Sequence, residues 1–282
     1  TQRRWLGCDM LRSRLWEGPL MSDEVWMGYL LHHEPSYTVV QSPFVLKGQR
    51  VFGADSDATT LAVAALLHRL EHDDVSAISV PEGIDASSLS AATGVALHDG
   101  DAEEEPPWEV LMSDEAIVVV SQRGATVEIP VFDIEVEVDP EFHAALEAAW
   151  GQELSENHVS QGAYVSRAQY DEAAASRLQL HGQANEQGVV WPPRFSHVVD
   201  GHSASGMRLQ RCGKVMTWTT LSAAGAPSEF SLRAPVLGGV STVLLELDDG
   251  PNGVFLMVDD EESIIEMDAR MELVFRRLYA QE

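Results

Sequence analysis

Four β-patterned runs, joined by short connections, occupy the last quarter of this chain at residues 214–221, 240–247, 253–258 and 269–278. Apolar and polar side chains alternate within them, which is the period of a half-buried strand. Turn-forming residues fill the connection from Asp248 to Gly253. Short strands closed by such turns, with few helices between them, predict a small barrel, because closure removes the exposed edges of a sheet.

The first half of the chain has a different pattern, in which helices and strands are interspersed. Residues 55–59 offer N-caps for a helix at 58–72, whose apolar residues include Leu61 and Ala64 on one face. The further predicted elements are a buried strand at 75–80, a weaker helix at 88–97 that ends near Gly94, strands at 116–121 and 125–138, and helices at 141–154 and 167–180. This order indicates an α/β layer, and residues 182–206 are predicted to be loop-like.

Acidic residues dominate the composition. The chain has 45 Asp and Glu against 18 Lys and Arg, for a formal charge of −27, and its lysines are Lys47 and Lys214. Such a surface repels nucleic acids and anionic membranes, since both are bound through Lys and Arg. It suits a halophilic cytoplasm, where salt screens self-repulsion, and we expect a cytoplasmic protein. No stretch approaches the roughly 18 uninterrupted apolar residues of a membrane span.

Histidines supply the candidate metal ligands, and each set is incomplete. His68 and His72 are separated by one helical turn, but no third ligand lies nearby in sequence, so a solvent-side pair is favoured over a metal site. His32 and His33 are adjacent and must point apart in any regular element. His197, Asp200 and His202 form a weak second set, and Cys8 and Cys212 cannot form a cysteine-based metal site on their own. No catalytic constellation emerges from the residues alone.

Residues from about 160 to 282 resemble a known family. Pro192-Pro193-Arg194, preceded by Gly188 and followed by residues 213–219 (GKVMTWT), is carried in the same order by the acyl-CoA-associated OB-fold family named "domain of unknown function 35". Residues 176–180, the run 243–247 with Asp248 and Gly250, and Val274-Phe275 extend the match. The resemblance implies a helical lead-in, a rubredoxin-like zinc ribbon and a C-terminal five-stranded OB-fold β-barrel.

The resemblance also bears on metal and ligand binding in the ribbon. Where that family places four cysteines, this chain has Ala184, Gln187, His197 and Asp200. A closed zinc site needs its thiolates, so we expect a degenerate, metal-free ribbon. Trp191, Pro193 and Arg194 are the residues that the resemblance offers for contact with coenzyme A or with a partner subunit. An equally favoured alternative for Arg194 is that it caps the ribbon loops.

A second resemblance covers residues 45–150. The segments 53–65, 75–80 and 91–97 resemble the N-terminal part of a thiolase-superfamily chain, in particular 3-hydroxy-3-methylglutaryl-CoA synthase. Enzymes of that superfamily use a cysteine nucleophile with a glutamate and a histidine. There is no cysteine between Val51 and Asp139. The resemblance therefore implies a shortened and catalytically inactive domain.

Together these patterns and the two resemblances imply an α+β protein in four parts. They are a leader or extension (1–44), a degenerate thiolase-like α/β domain (45–155), a helical lead-in with a degenerate ribbon (156–208) and an OB barrel (209–282). The function implied is that of a non-catalytic scaffold in a hetero-oligomer with thiolase or 3-hydroxy-3-methylglutaryl-CoA synthase, which helps to form a channel for coenzyme A in the mevalonate route. Two alternatives are an OB-fold protein that binds single-stranded nucleic acid and a stand-alone acyl-CoA enzyme.

Overall fold

A computed structural model describes the fold over residues 23–98, 105–113, 115–153, 176–186, 188–193, 198–199, 202–203, 205–226, 230–258 and 265–276. The fold is mixed α and β with several sheets. Its described residues divide into two compact units. The first consists of residues 23–143 with 275–276, and the second of residues 144–274.

A seven-stranded mixed sheet forms the first unit. Its strands are β1 (Asp23–Trp26), β2 (Tyr29–Glu34), β3 (Tyr37–Gln41), β6 (Ala77–Ser79), β7 (Ala96–Leu97), β8 (Trp108–Ser113) and β9 (Ile117–Gln122). They lie in the order β1-β2-β3-β9-β8-β6-β7. The pairs β1–β2, β2–β3, β3–β9 and β9–β8 are antiparallel, whereas β6 runs parallel to both β8 and β7. The predicted strands at 75–80 and 116–121 are confirmed, with shorter or shifted bounds.

Helix α1 (Ala58–Arg69) is the predicted helix at 58–72, and it is buried on all sides rather than on one face. Asp57 caps it: its carboxylate accepts from the Thr60 amide at 3.0 Å, while the Asp57 amide donates to the Thr60 hydroxyl at 2.8 Å. This reciprocal capping box satisfies two of the orphan donors at the start of the helix. Because all twelve residues are buried, other parts of the protein must pack against every side of this helix.

Helix α2 (Ala86–Thr93) connects β6 to β7 by a parallel crossover. Asp85 accepts from the amides of Ser87 and Ser88 at its start. Gly94 ends the helix with a φ of 76°, a left-handed conformation that glycine adopts without the steric cost of a Cβ. The predicted end near Gly94 is therefore confirmed.

A small sheet lies beside these elements, in the order β10-β4-β5, from β4 (Phe44–Leu46), β5 (Gln49–Arg50) and β10 (Val136–Glu137). The predicted strand at 125–138 is wrong apart from β10. Its carbonyl groups accept hydrogen bonds from side chains instead of a neighbouring strand: Pro130 from Gln41, and Phe132 and Ile134 from Arg50. Hydrogen bonds from side chains thus take the place of pairing with a neighbouring strand. The alternation of apolar and polar residues does not distinguish these two cases.

Residues 23–44 belong to the first unit, since they form β1, β2, β3 and the start of β4. Tyr29, Leu30, Val39 and Val40 are each at most 1% exposed. Residues 23–44, which were predicted to belong to an extension at 1–44, are therefore part of the domain that follows.

Helix α3 (Pro140–Glu153) agrees with the predicted helix at 141–154 and leads into the second unit. The predicted helix at 167–180 falls largely outside the described residues. A shorter helix, α4 (Arg233–Leu237), ends at Gly238, and a 3-10 turn spans Ala223–Gly225. No helix in the described part of the chain has both the length and the apolar character to cross a bilayer.

Two further small sheets follow in the region expected to be a loop, and that expectation is wrong. Strands β11 (His181–Asn185), β12 (Gly188–Val190) and β15 (Ser205–Arg208) form an antiparallel sheet in the order β12-β11-β15. Strands β13 (Val198–Val199) and β14 (His202–Ser203) pair as a short hairpin. These strands are only two to five residues long, which is too short to show the apolar alternation on which strand prediction depends.

The last sheet of the second unit is antiparallel, with the order β18-β17-β16-β19. Its strands are β16 (Cys212–Leu221), β17 (Val240–Leu247), β18 (Asn252–Leu256) and β19 (Arg270–Glu272). The bounds predicted for β17 are correct, and the run expected at 269–278 is limited to β19 in the described residues. A β-bulge at Met216 shifts the register between β16 and β17.

One apolar core joins this sheet to the three-stranded sheet before it. Its buried members are Leu180, Leu209, Val215, Val243, Leu245 and Leu247. Trp191 and Phe255 pack against them. Leu180 and Leu209 flank the small sheet and the others lie on β16 and β17, so the two sheets of the second unit stabilise one another.

A buried ion pair in the second unit gives a test of its packing. The Glu153 carboxylate contacts Nε of Arg233 at 2.5 Å, with side chains only 3% and 4% exposed, and also accepts from the amides of Leu232 and Arg233. The Arg233 guanidinium lies 3.7 Å above the Trp150 ring. Removing one partner leaves a buried charge uncompensated.

We expect Glu153→Ala to lower the free energy of unfolding by about 3–5 kcal/mol, measured by urea denaturation. Glu186→Ala, at an exposed turn position of the same unit, is the control and should change it by no more than about 0.5 kcal/mol. A loss below about 1 kcal/mol for Glu153→Ala would contradict a buried, energetically coupled pair.

Candidate functional site

Three histidines meet in the first unit. His33 lies on β2, His68 in the last turn of α1, and His72 just after that helix. Their ring centroids are 4.6 Å (His33–His72), 4.9 Å (His68–His72) and 5.0 Å (His33–His68) apart. One nitrogen from each ring lies within 4.8 Å of the other two. We call His33, His68 and His72 the histidine cluster.

Arg69 holds the parts of the histidine cluster together. Its side chain is fully buried, and its guanidinium donates to the carbonyls of Glu34 (2.6 Å) and Pro35 (3.1 Å) and to the Asp73 carboxylate (2.6 Å). Glu34 is the last residue of β2 and Pro35 begins the turn to β3, whereas Asp73 follows α1. A buried guanidinium needs such acceptors, and here they fix the β2–β3 turn against the end of α1.

The three rings differ in their surroundings. His68 is 4% exposed and packs edge-on against the Trp26 ring, with centroids 4.9 Å apart. His33 is half-buried, with Nδ1 3.1 Å from the Thr38 hydroxyl and Nε2 3.5 Å from the Arg69 guanidinium. His72 is exposed. The cluster therefore has two positioned rings and one that solvent reaches.

Burial lowers the pKa of His33 from its ordinary 6.5 to about 4, and the nearby positive charge of Arg69 acts in the same direction. Both effects disfavour the charged imidazolium. The ring is therefore neutral at pH 7, which leaves a nitrogen lone pair for a hydrogen bond or a metal ion.

The structure corrects the sequence-based interpretation of these residues. His68 is not on the solvent side, and a third histidine does lie beside the pair. The expectation that His32 and His33 point apart is confirmed: they are consecutive residues of β2, and His32 contacts Glu34 at 3.5 Å whereas the ring of His33 contacts His68 and His72. His33 is 35 residues before His68, and no local pattern links a hairpin to the helix that covers it.

A second buried polar group lies in the same unit. Asp55 is 3% exposed, and its carboxylate lies 3.4 Å from Nε of Arg276. The same guanidinium lies over the Tyr29 ring, 4.6 Å from its centroid, and donates to the Met27 carbonyl. Burial raises the pKa of Tyr29, so its phenol stays protonated at neutral pH. These contacts attach residue 276 to the first unit.

The structure gives Trp191 a packing role in the second unit. Its ring stacks on Phe255 with centroids 5.7 Å apart, and Nε1 donates to the Ser176 carbonyl at 3.4 Å. Pro193 is partly exposed, and Ala184 pairs with Val189 within the small sheet. Arg194, Gln187, His197 and Asp200 lie outside the described residues. The predicted contact and ribbon sites therefore stay predictions.

Comparison with known proteins assigns no family to this chain. No protein-family model matches it, and no curated protein matches its sequence. A proposal of function therefore starts from the residues and contacts of this chain itself.

The lowered pKa of His33 predicts a pH-dependent contribution to stability. As the pH falls from 6.5 to about 4, the unfolded chain takes up a proton at His33 before the folded chain does, so the free energy of unfolding decreases over that window. Above pH 6.5 this contribution is fully present. We expect the free energy of unfolding of His33→Gln to decrease less steeply over this pH window than that of the unmodified protein. Urea denaturation with a chelator present measures both. Parallel curves for the two proteins would contradict the depressed pKa.

Proposed function

We propose that this protein is a non-catalytic, partner-binding subunit of an acyl-CoA condensing complex that contains thiolase or 3-hydroxy-3-methylglutaryl-CoA synthase. The observation that carries partner binding is the outward face of the four-stranded sheet in the second unit. Any coenzyme A at this subunit would belong to the substrate of the complex. The class of complex rests on the resemblance of residues 160–282 to the acyl-CoA-associated OB-fold family.

The outward face presents apolar side chains to solvent. Val254 is 68% exposed and Leu256 is 37% exposed on β18, and the cross-strand neighbour of Val254 is Leu244 on β17, which is half-buried. Opposed residues of an antiparallel pair share a face, so Leu244, Val254 and Leu256 form one apolar strip. We call these three residues the outer strip. Contiguous exposed apolar surface on a sheet marks a site of association.

The order of the two sheets in the second unit supports the choice of partner class. A small antiparallel sheet over residues 181–208 precedes a larger one over 212–272, and the two share one core. The family that this region resembles also has a small ribbon followed by a β-barrel. The coarse arrangement agrees with that family, and its bridging role in acyl-CoA complexes is carried to this chain as part of the proposal.

The charges of the second unit disfavour the alternative of single-strand binding. Lys214 pairs with Asp268 at 2.9 Å, and Arg270 forms a two-point contact with Asp248 at 2.5 Å. Arg233 is buried against Glu153. Cations that are already paired with carboxylates of the same chain cannot neutralise a phosphate backbone without losing those carboxylate partners.

A gel-shift assay with an oligonucleotide should therefore show no salt-sensitive complex, and a clear one would favour the nucleic-acid alternative.

The outer strip gives the sharpest test of the proposed function. We expect the tagged protein, purified from its native host in high-salt buffer, to retain a thiolase-superfamily protein that mass spectrometry identifies at a fixed ratio. Val254→Asp should abolish this retention, because it places an unpaired charge in the apolar contact. High salt is appropriate since it screens ionic contacts and leaves apolar contacts intact.

Val131→Asp is the matched control, since Val131 is 89% exposed on a loop of the first unit. It adds the same charge elsewhere and should leave retention unchanged. Circular dichroism must show both variants to be folded. Recovery of the unmodified protein without a thiolase-superfamily partner would overturn the proposal.

A further inference from the structure

We propose that His33, His68 and His72 form a binding site for a divalent transition-metal ion such as Zn²⁺ or Co²⁺, with one imidazole nitrogen from each residue as a ligand. Three protein ligands leave at least one coordination position for water or an exogenous molecule. This site lies in the first unit and is independent of the proposed function. Among the described residues, the histidine cluster is the group whose donor atoms have the spacing of a metal site.

The spacing of the nitrogens is close to that of a coordinated set. Nitrogen ligands bind zinc at about 2.0–2.1 Å in a tetrahedral arrangement, which places neighbouring nitrogens roughly 3.3–3.4 Å apart. The cluster holds them within 4.8 Å of one another. Closure by at most roughly 1.5 Å completes the site. His72 is exposed and lies beyond the end of α1, so rotation of its side chain can supply this movement while His68 stays packed against Trp26.

The hydrogen bond of His33 orients its ring for coordination. Metal-binding histidines usually donate their second N–H to an oxygen, which fixes the tautomer and the ring plane. The Thr38 hydroxyl lies 3.1 Å from Nδ1 of His33 and can accept that proton. Nε2 then carries the lone pair. Its neighbour at 3.5 Å is the Arg69 guanidinium, a distance beyond a normal N–H···N hydrogen bond, so a metal ion competes with only a weak contact.

The neutral state of His33 favours metal binding, whereas the positive charge of Arg69 disfavours it. The depressed pKa of His33 keeps the ring neutral at pH 7, as a metal ligand must be. The positive charge of Arg69 opposes a second cation nearby. Asp73 offsets it directly, with an oxygen 2.6 Å from the guanidinium. The net charge of −27 over the whole chain also favours cation binding.

Cobalt titration of the full chain, stripped of metal with a chelator and kept in high-salt buffer at pH 7.5, tests the proposal. We expect one Co²⁺ per chain, with the visible absorption of a nitrogen-coordinated ion, and displacement by an equivalent of Zn²⁺. A large excess of Mg²⁺ should not compete, because imidazole favours Zn²⁺ and Co²⁺ whereas carboxylate oxygen favours Mg²⁺. Competition by Mg²⁺ would assign the bound ion to surface carboxylates and overturn the site.

Substitutions identify the ligands. His72→Gln and His33→Gln should each remove the absorption and weaken Co²⁺ binding by roughly 100-fold or more, because loss of even an outer hydrogen-bond partner of a ligand costs about 10–100-fold. His181→Gln, at an exposed histidine of the second unit, is the control and should bind as the unmodified chain does. Because His72 is exposed, its variant keeps the fold, which circular dichroism verifies. Unchanged binding in His72→Gln, or no stoichiometric binding to the unmodified chain, would show that the three rings only pack against one another.

Discussion

Burial of the whole of helix α1 is the constraint on which the first unit depends. All twelve of its residues are buried, so strands must cover one side and α2 another. The burial extends to its last residue, Arg69, whose charge is costly to remove from water unless acceptors surround it. The end of β2 and the turn after it supply two carbonyls, and Asp73 supplies a carboxylate. The requirement to satisfy one guanidinium therefore determines where a hairpin meets a helix.

The contact between the β2–β3 hairpin and the end of α1 also forms the histidine cluster. Two of its rings are carried by α1 and the residues after it, and the third by the hairpin that Arg69 fixes in place. The outer strip lies on a sheet with its own core in the second unit. Metal binding and partner binding thus depend on different sets of packed residues. A variant that affects one of these properties need not affect the other.

The sequence predicted those elements whose signals are local. Asp57 and Gly94 mark helix ends through their own backbone and side-chain geometry, and the alternation of 240–247 identifies β17. Prediction failed where a distant partner decides the structure. The carbonyls of residues 130–134 are satisfied by Gln41 and Arg50, more than 80 residues earlier. His33 joins its cluster through a tertiary contact, and the polar strands β11 and β15 pair without an apolar stripe.

The way the chain returns to its starting unit limits how this protein can be divided. The first unit receives Phe275 and Arg276 from beyond the whole of the second. A fragment that stops at residue 143 lacks the guanidinium that the buried Asp55 carboxylate contacts and that covers the Tyr29 ring. Cutting at any single position therefore cannot yield both units intact. To obtain the first unit alone, a linker must join residue 143 to residue 275, in the manner of removing an inserted domain from its host.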